Sequence, residues 1–195
     1  MGKTAAIALT ILTLFTIADA QVPGGNIFVG YSYSGGDVFV HSSVFQPASH
    51  SANLNGWEGS LEGKFLPWIG IVADLSGHYG SQRVAACPPA PILPPCQIVN
   101  LDVKRYSFLF GPRVSVSIGK FTPFAHVLVG ASHATDNGSG LSDSDTSLAT
   151  AIGGGLDYKL ITAIAWRLQG DELHTRLFGS TQDHFRFSTG IVFRF

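Results

Sequence analysis

From about residue 26 onward, apolar side chains recur at every second position. The last segment shows this best. Phe185, Phe187, Thr189, Ile191, Phe193 and Phe195 share one parity, and His184, Arg186, Ser188, Gly190, Val192 and Arg194 share the other. Successive side chains of a strand point to opposite faces, so the pattern predicts a strand with one oily face and one polar or small face. The same period recurs upstream, where Ile69, Ile71, Ala73 and Leu75 oppose Gly70, Val72, Asp74 and Ser76. Tyr106, Phe108 and Phe110 oppose Arg105, Ser107, Leu109, Gly111 and Arg113. Segments around 27–33, 57–62, 125–131, 150–157 and 164–171 repeat it, the first and third of these least cleanly. Eight strands are predicted in all.

The links between these segments alternate in length. Short links are expected around Phe65–Pro67, Ser117–Thr122 and Tyr158–Thr162. Long ones are expected from Gly35 to Ala52, Gly80 to Leu101 and Ser132 to Ser147, with a shorter one near Arg176 to Gln182. Short turns on one side and long loops on the other mark transmembrane β-barrels of the bacterial outer membrane, with turns periplasmic and loops outside. An even strand number places both termini in the periplasm.

Composition sharpens this reading. Charged residues make up only 13% of the chain, against about 25% in ordinary globular domains. Gly is abundant at 23, and Phe at 14 outnumbers Met at 1. No apolar run after Ala20 approaches the roughly 20 residues a membrane helix needs. In hydrocarbon every backbone polar group must be paired internally, so closing the strands into a barrel is the remaining solution. The expected fold is therefore all-β, an eight-stranded antiparallel up-and-down transmembrane barrel. A soluble barrel with the oily face inward is the competing arrangement. Ten charged positions on the opposite face, few lysines and aromatic residues at strand ends argue against it.

Those ten charges are Glu58, Glu62, Asp74, Asp157 and Asp171, with Arg105, Arg113, Arg167, Arg186 and Arg194. They are expected to meet inside the lumen and pair through charge-assisted contacts. Small inward residues such as Gly70, Gly111, Gly153 and Gly155 are expected to make room for the long arginines. An eight-stranded barrel is only wide enough for its own side chains, so the network reads as a plug rather than a channel. Glu172 departs from the pattern, since its parity is outward where an apolar residue is expected; a place above the membrane accounts for it.

The first twenty residues are set apart. Lys3, an apolar stretch from Ala5 to Ala18, and Ala18-Asp19-Ala20 have the form of a cleaved secretory signal, so the barrel domain is expected over 21–195. Cys87 and Cys96, separated by a proline-rich segment, are expected to form a disulfide that staples an exterior loop in an oxidising compartment. A net charge of −1 gives no basis for nucleic-acid binding. No cofactor motif and no metal-ligand spacing is found.

The ending Phe187-Ser188-Thr189-Gly190-Ile191-Val192-Phe193-Arg194-Phe195 resembles the C-terminal assembly signal of outer-membrane proteins. Gly111-Pro112-Arg113, Thr122-Pro123-Phe124 and Gly153-Gly154-Gly155-Leu156-Asp157 resemble the same positions in small OmpA-like and OmpX-like barrels. The resemblance covers roughly Asn26 to Phe195 and is specific to fold. It implies that Phe187, Ile191, Phe193 and Phe195 are read by the barrel-assembly machinery. It also implies a monomer surrounded by outer-membrane lipids, with exterior loops available to a ligand. The periplasmic peptidoglycan-binding domain of larger OmpA proteins is not implied.

Three functions are weighed. A structural or binding protein of the outer membrane, serving envelope integrity or surface adhesion through its loops, fits the rigid scaffold and the stapled loop. A lipid-acting acyl transferase or deacylase needs a nucleophile, a base and an orienting acid within reach. His133, His174 and His184 lie near the expected outer loops, with Ser132, Ser180 and Asp183 nearby in sequence, and they form no family motif. A minor small-solute pore is the third. The first is preferred, and the chain is not expected to be an enzyme.

Overall fold

A computed structural model describes residues 24–42, 45–86, 97–138, 141–176 and 182–195. Eight strands form one closed barrel in the order of the sequence: β1 (Gly25–Ser42), β2 (Phe45–Leu66), β3 (Ile69–Ala86), β4 (Gln97–Ser115), β5 (Phe121–Gly138), β6 (Leu141–Lys159), β7 (Ile164–Thr175) and β8 (Gln182–Arg194). Every neighbouring pair is antiparallel, including β1 with β8, which closes the wall from Asn26↔Arg194 to Gly36↔His184. Phe195 completes the seam: Gly25 N donates to Phe195 O at 2.8 Å, and Phe195 N donates to Gly25 O at 3.1 Å. Closure leaves no unpaired edge at membrane depth.

The oily faces point outward. Ile71, Leu75, Phe108, Phe110, Val127, Val129, Ile152 and Ile191 are exposed on the outer wall. Aromatic side chains border this transmembrane belt at both ends. Tyr31, Trp57, Tyr79 and Tyr106 stand at one end; Phe65, Trp68, Phe121, Trp166, Phe193 and Phe195 stand at the other, beside the short turns. Amphipathic rings favour the level where hydrocarbon meets headgroups, which fixes the height of the barrel in its membrane.

At the turn end the connections are as short as expected. Between β4 and β5, Ile118 and Phe121 exchange hydrogen bonds of 2.7 and 3.0 Å around Gly119 and Lys120. Gly119 has φ +62°, a left-handed conformation that a two-residue hairpin requires of its first central residue.

The other end differs from expectation. The stretches 35–52, 80–101 and 132–147, read as loops, are largely strand. Pairing of β1 with β2 continues from Gly35↔Asn53 to Ser42↔Phe45. That of β3 with β4 reaches Ala86↔Gln97, and that of β5 with β6 reaches Gly138↔Leu141. These hairpins continue above the belt, and the sequence there carries no sustained alternation of apolar and polar residues, so the extension leaves no period-two trace. The link between β7 and β8 is low, its pairing ending at Thr175↔Gln182. The expected signal segment and the Cys87–Cys96 disulfide lie outside the described residues.

Candidate functional site in the lumen and above the membrane

Inward parity brings the predicted charges into the barrel in two groups. Arg186 of β8 is the centre of the first and is fully buried. Its Nη1 donates to Asp74 Oδ1 at 2.7 Å, while Nε and Nη2 donate to Asp171 Oδ2 at 2.9 and 2.7 Å. Glu58 Oε2 lies 3.4 Å from its Nε. One guanidinium thus joins β8 to β2, β3 and β7. Around it, Gln169 Nε2 donates to Glu58 Oε1 and Asp171 Oδ2, both at 2.9 Å. His126 Nε2 donates to Asp171 Oδ1 at 2.8 Å. Ser188 Oγ donates to Glu58 Oε2 at 2.5 Å and lies 2.8 Å from Ser32 Oγ, which in turn meets His78 Nε2 at 2.9 Å.

The second group lies nearer the turns. Arg167 makes a two-pronged contact with Asp157, Nε to Oδ1 at 2.7 Å and Nη2 to Oδ2 at 3.0 Å. Arg113 lies 3.3 Å from Glu62 and 3.8 Å from Asp157. Asn26 Nδ2 donates to Glu62 Oε2 at 2.6 Å. The Phe124 ring is shared by two guanidinium groups, Arg113 3.4 Å and Arg167 4.7 Å from its centroid. Delocalised guanidinium planes stack on aromatic faces, so the ring separates two like charges while stabilising both. Arg194 reaches Asp157 only at 3.7 Å, and its side chain is 23% exposed at the rim beside the short turns. Arg105 belongs to neither group; it sits higher in the lumen, facing His78 and His184.

The network expected from charged residues alone left out several members. His78, His126, Gln169, Ser32 and Ser188 are buried partners of the charged groups; their inward parity was the available signal. The lumen is also less uniformly polar than alternation suggested. Val72, Leu109, Leu128, Ala149, Ala151 and Leu173 form one buried apolar cluster, and Phe28, Ala165 and Val192 form another. The small inward residues serve a different purpose from that expected. A Cβ on Gly153 would strike the Asp171 carboxylate, one on Gly155 would lie 2.7 Å from the Phe124 ring, and one on Gly70 would lie 3.1 Å from Glu62 Oε1. The space is occupied by carboxylates, a ring and backbone, not by arginine.

Above the belt, β7 and β8 place His174 opposite Asp183. His174 Nδ1 donates to Asp183 Oδ1 at 2.6 Å, and both are exposed. This hydrogen bond, with the nearby charges of Asp183 and Glu172, raises the His174 pKa above its ordinary value. Glu172 is outward and exposed, flanked by Ile152 of β6 and Phe185 of β8. Among the described residues no serine joins His174 and Asp183 to complete the acyl-transfer constellation. Ser132 is buried against Ser107 at 3.1 Å, and His184 is buried in the lumen. His133 contacts Thr146 and Thr135 at 2.7 and 3.2 Å. Ser180 lies outside the described residues, and among those described no hydroxyl is hydrogen-bonded to His174. Phe187, Ile191, Phe193 and Phe195 all project from the outer wall of β8.

The sequence matches no family model, and no curated protein matches it. The fold does match known structures. Neisserial surface protein A (NspA) superposes with a TM-score of 0.62 at 12% identity, over 88% of this chain and 97% of that one. Ail, the attachment invasion locus protein of Yersinia pestis, superposes in complex with the heparin analogue sucrose octasulfate with a TM-score of 0.57 at 18% identity, over 88% of this chain and 98% of that one. Ail without that ligand gives 0.55 at 17% identity. The chain thus has the fold of the small eight-stranded outer-membrane barrels.

Proposed function

We propose that this chain is a plugged, non-enzymatic scaffold of the bacterial outer membrane, whose raised hairpins bind a positively charged partner outside the cell. The observation that carries this reading is the unequal height of the hairpins. Three continue as paired strands beyond the aromatic border, while β7–β8 stays low. Ladder pairing of β1 with β8 stops at Gly36↔His184, and that of β6 with β7 begins only at Ala149↔Thr175. The upper parts of β1 and β6 therefore flank a notch above the short hairpin. Rigid strands that carry exposed segments away from the membrane are suited to recognition.

Charge indicates the class of partner. The upper ends of the strands and the hairpins beyond them contain seven carboxylates, Asp37, Asp102, Asp136, Asp143, Asp145, Glu172 and Asp183, against three cations, Arg83, Lys104 and Arg176. A net negative crown steers basic surfaces toward it and repels sulfated glycans. The sulfated ligand bound by Ail is therefore not the one expected here.

On the same reading, the first twenty residues direct export and are removed. Cys87 and Cys96 staple the β3–β4 link, both termini are periplasmic, and the outward aromatics of β8 are read by the assembly machinery. The test is adhesion of liposomes carrying the protein to immobilised polylysine and to immobilised heparin. Binding to polylysine that falls steeply with added salt, little binding to heparin, and loss of binding when the β1–β2 and β5–β6 hairpins are shortened are expected. Undiminished adhesion by the shortened, folded barrel would overturn the proposal.

A further inference from the structure

One stretch of the outer wall differs from the rest of the aromatic border. Register places Trp57, Gly77 and Tyr106 in one row across β2, β3 and β4, with Tyr79 and Lys104 adjacent in the row above. Gly77 faces outward without a side chain, and the Trp57 indole lies across it; a Cβ there would be 2.9 Å from Trp57 Nε1. A ring spread over a neighbouring glycine is held in one orientation by that wall. The rings of Tyr79 and Tyr106 meet edge to face at 5.8 Å, and their hydroxyls are 2.9 Å apart.

A count of donors shows what this cluster lacks. Whichever tyrosine donates in the Tyr79–Tyr106 pair, one hydroxyl hydrogen is left without an acceptor among the described side chains. Beside it, Lys104 is exposed and has no carboxylate within ion-pair distance among the described residues. The carboxylate one outward position higher, Asp102, accepts a hydrogen bond from Ser81 at 2.6 Å. A positioned O–H and an ammonium, side by side, call for an anionic oxygen ligand.

Height selects the source of that anion. Directly below lie Leu75 and Phe108, exposed members of the oily belt. The polar tips thus sit where headgroups begin. On the opposite wall the corresponding height carries Glu172 and Asp183, which repel anions.

We propose that Trp57, Tyr79, Tyr106 and Lys104 form a site on the barrel's outer wall for the phosphate monoester of a membrane lipid, whose tails lie over Leu75 and Phe108. The phosphate accepts from the unspent tyrosine hydroxyl and pairs with Lys104. The wall then holds one phospholipid class on one side only.

The test uses the full chain in phosphatidylcholine nanodiscs containing a minor fraction of phosphatidic acid, with lipid retained by the protein counted by native mass spectrometry. The wild type should retain phosphatidic acid in preference to phosphatidylcholine. Lys104→Gln should lower that preference about fivefold, the effect of roughly one lysine at a headgroup surface. Tyr79→Phe combined with Tyr106→Phe should lower it further, and Lys120→Gln at the periplasmic turn should leave it intact. Heat-modifiable migration in detergent gels verifies that each variant is folded. An unchanged preference in folded Lys104→Gln, or an equal loss in Lys120→Gln, overturns the site. Displacement of the lipid by an equal concentration of inorganic phosphate overturns its assignment to a lipid.

Discussion

At the scale of single residues, Arg186 and His174 show how position decides the value of a charge. Arg186 lies out of water, and its guanidinium is in ion-pair contact with Asp74, Asp171 and Glu58. Removing one partner of a buried ion pair costs about 3–5 kcal/mol, because the other is left charged without water. Arg186→Met should therefore destabilise the barrel by about that amount, read from urea unfolding in lipid vesicles. Arg186→Lys should recover only part of it, since an ammonium cannot form the two-pronged contact with Asp171. A loss below about 1 kcal/mol for Arg186→Met would show that the carboxylates are neutralised some other way. His174 is in water, and its partner acts differently. Asp183 raises its pKa, so the contribution of the pair is complete below the ordinary histidine value and fades as pH climbs through the raised one. An NMR titration should place the His174 midpoint higher in the wild type than in Asp183→Asn. Equal midpoints would show that the contact does not persist in solution.

At the scale of elements, the wall was legible wherever the two faces meet different media. β8 and β3 alternate cleanly because hydrocarbon lies on one side and charge on the other. β1 and β5 alternate less cleanly because Phe28, Phe124 and Leu128 face inward, where two arginines stack on rings or an apolar cluster fills the space. A lumen that mixes arginine with phenylalanine erases part of the contrast on which parity depends. The upper hairpins were not legible, since their sequences carry no sustained alternation of apolar and polar residues. Glycine positions follow the same logic of location. At Gly153 a methyl group would meet the Asp171 carboxylate and the Gly170 carbonyl, whereas at Gly59 the nearest atom is a carbonyl 3.7 Å away. Gly153→Ala should cost about 1–3 kcal/mol by forcing β6 from β7, and Gly59→Ala should stay within about 0.5 kcal/mol. Equal effects in vesicle unfolding would show that the wall yields more readily than these contacts imply.

At the scale of the whole molecule, the same side chains that hold the wall together also fill it. Arg186 links four strands, Asp157 gathers Arg167, Arg113 and Arg194, and the clusters around Leu109 and Phe28 occupy the remaining width. The parity of ten charges made this content readable in advance. Its partition into two groups was not readable, because partners such as Glu58 and Gln169 are 111 residues apart and meet only once the barrel closes. Closure therefore sets both the pairing and the permeability. An ion crossing the lumen must displace a guanidinium from its carboxylates, at a cost of several kcal/mol for each buried ion left alone. Reconstituted in planar bilayers, the protein should show no stable conductance, and Arg186→Ala, which widens the lumen and leaves its carboxylates unpaired, should show cation-preferring openings. A steady open level in the wild type would mean that the network does not seal the barrel, and that exchange of solutes rather than presentation of the crown is its task.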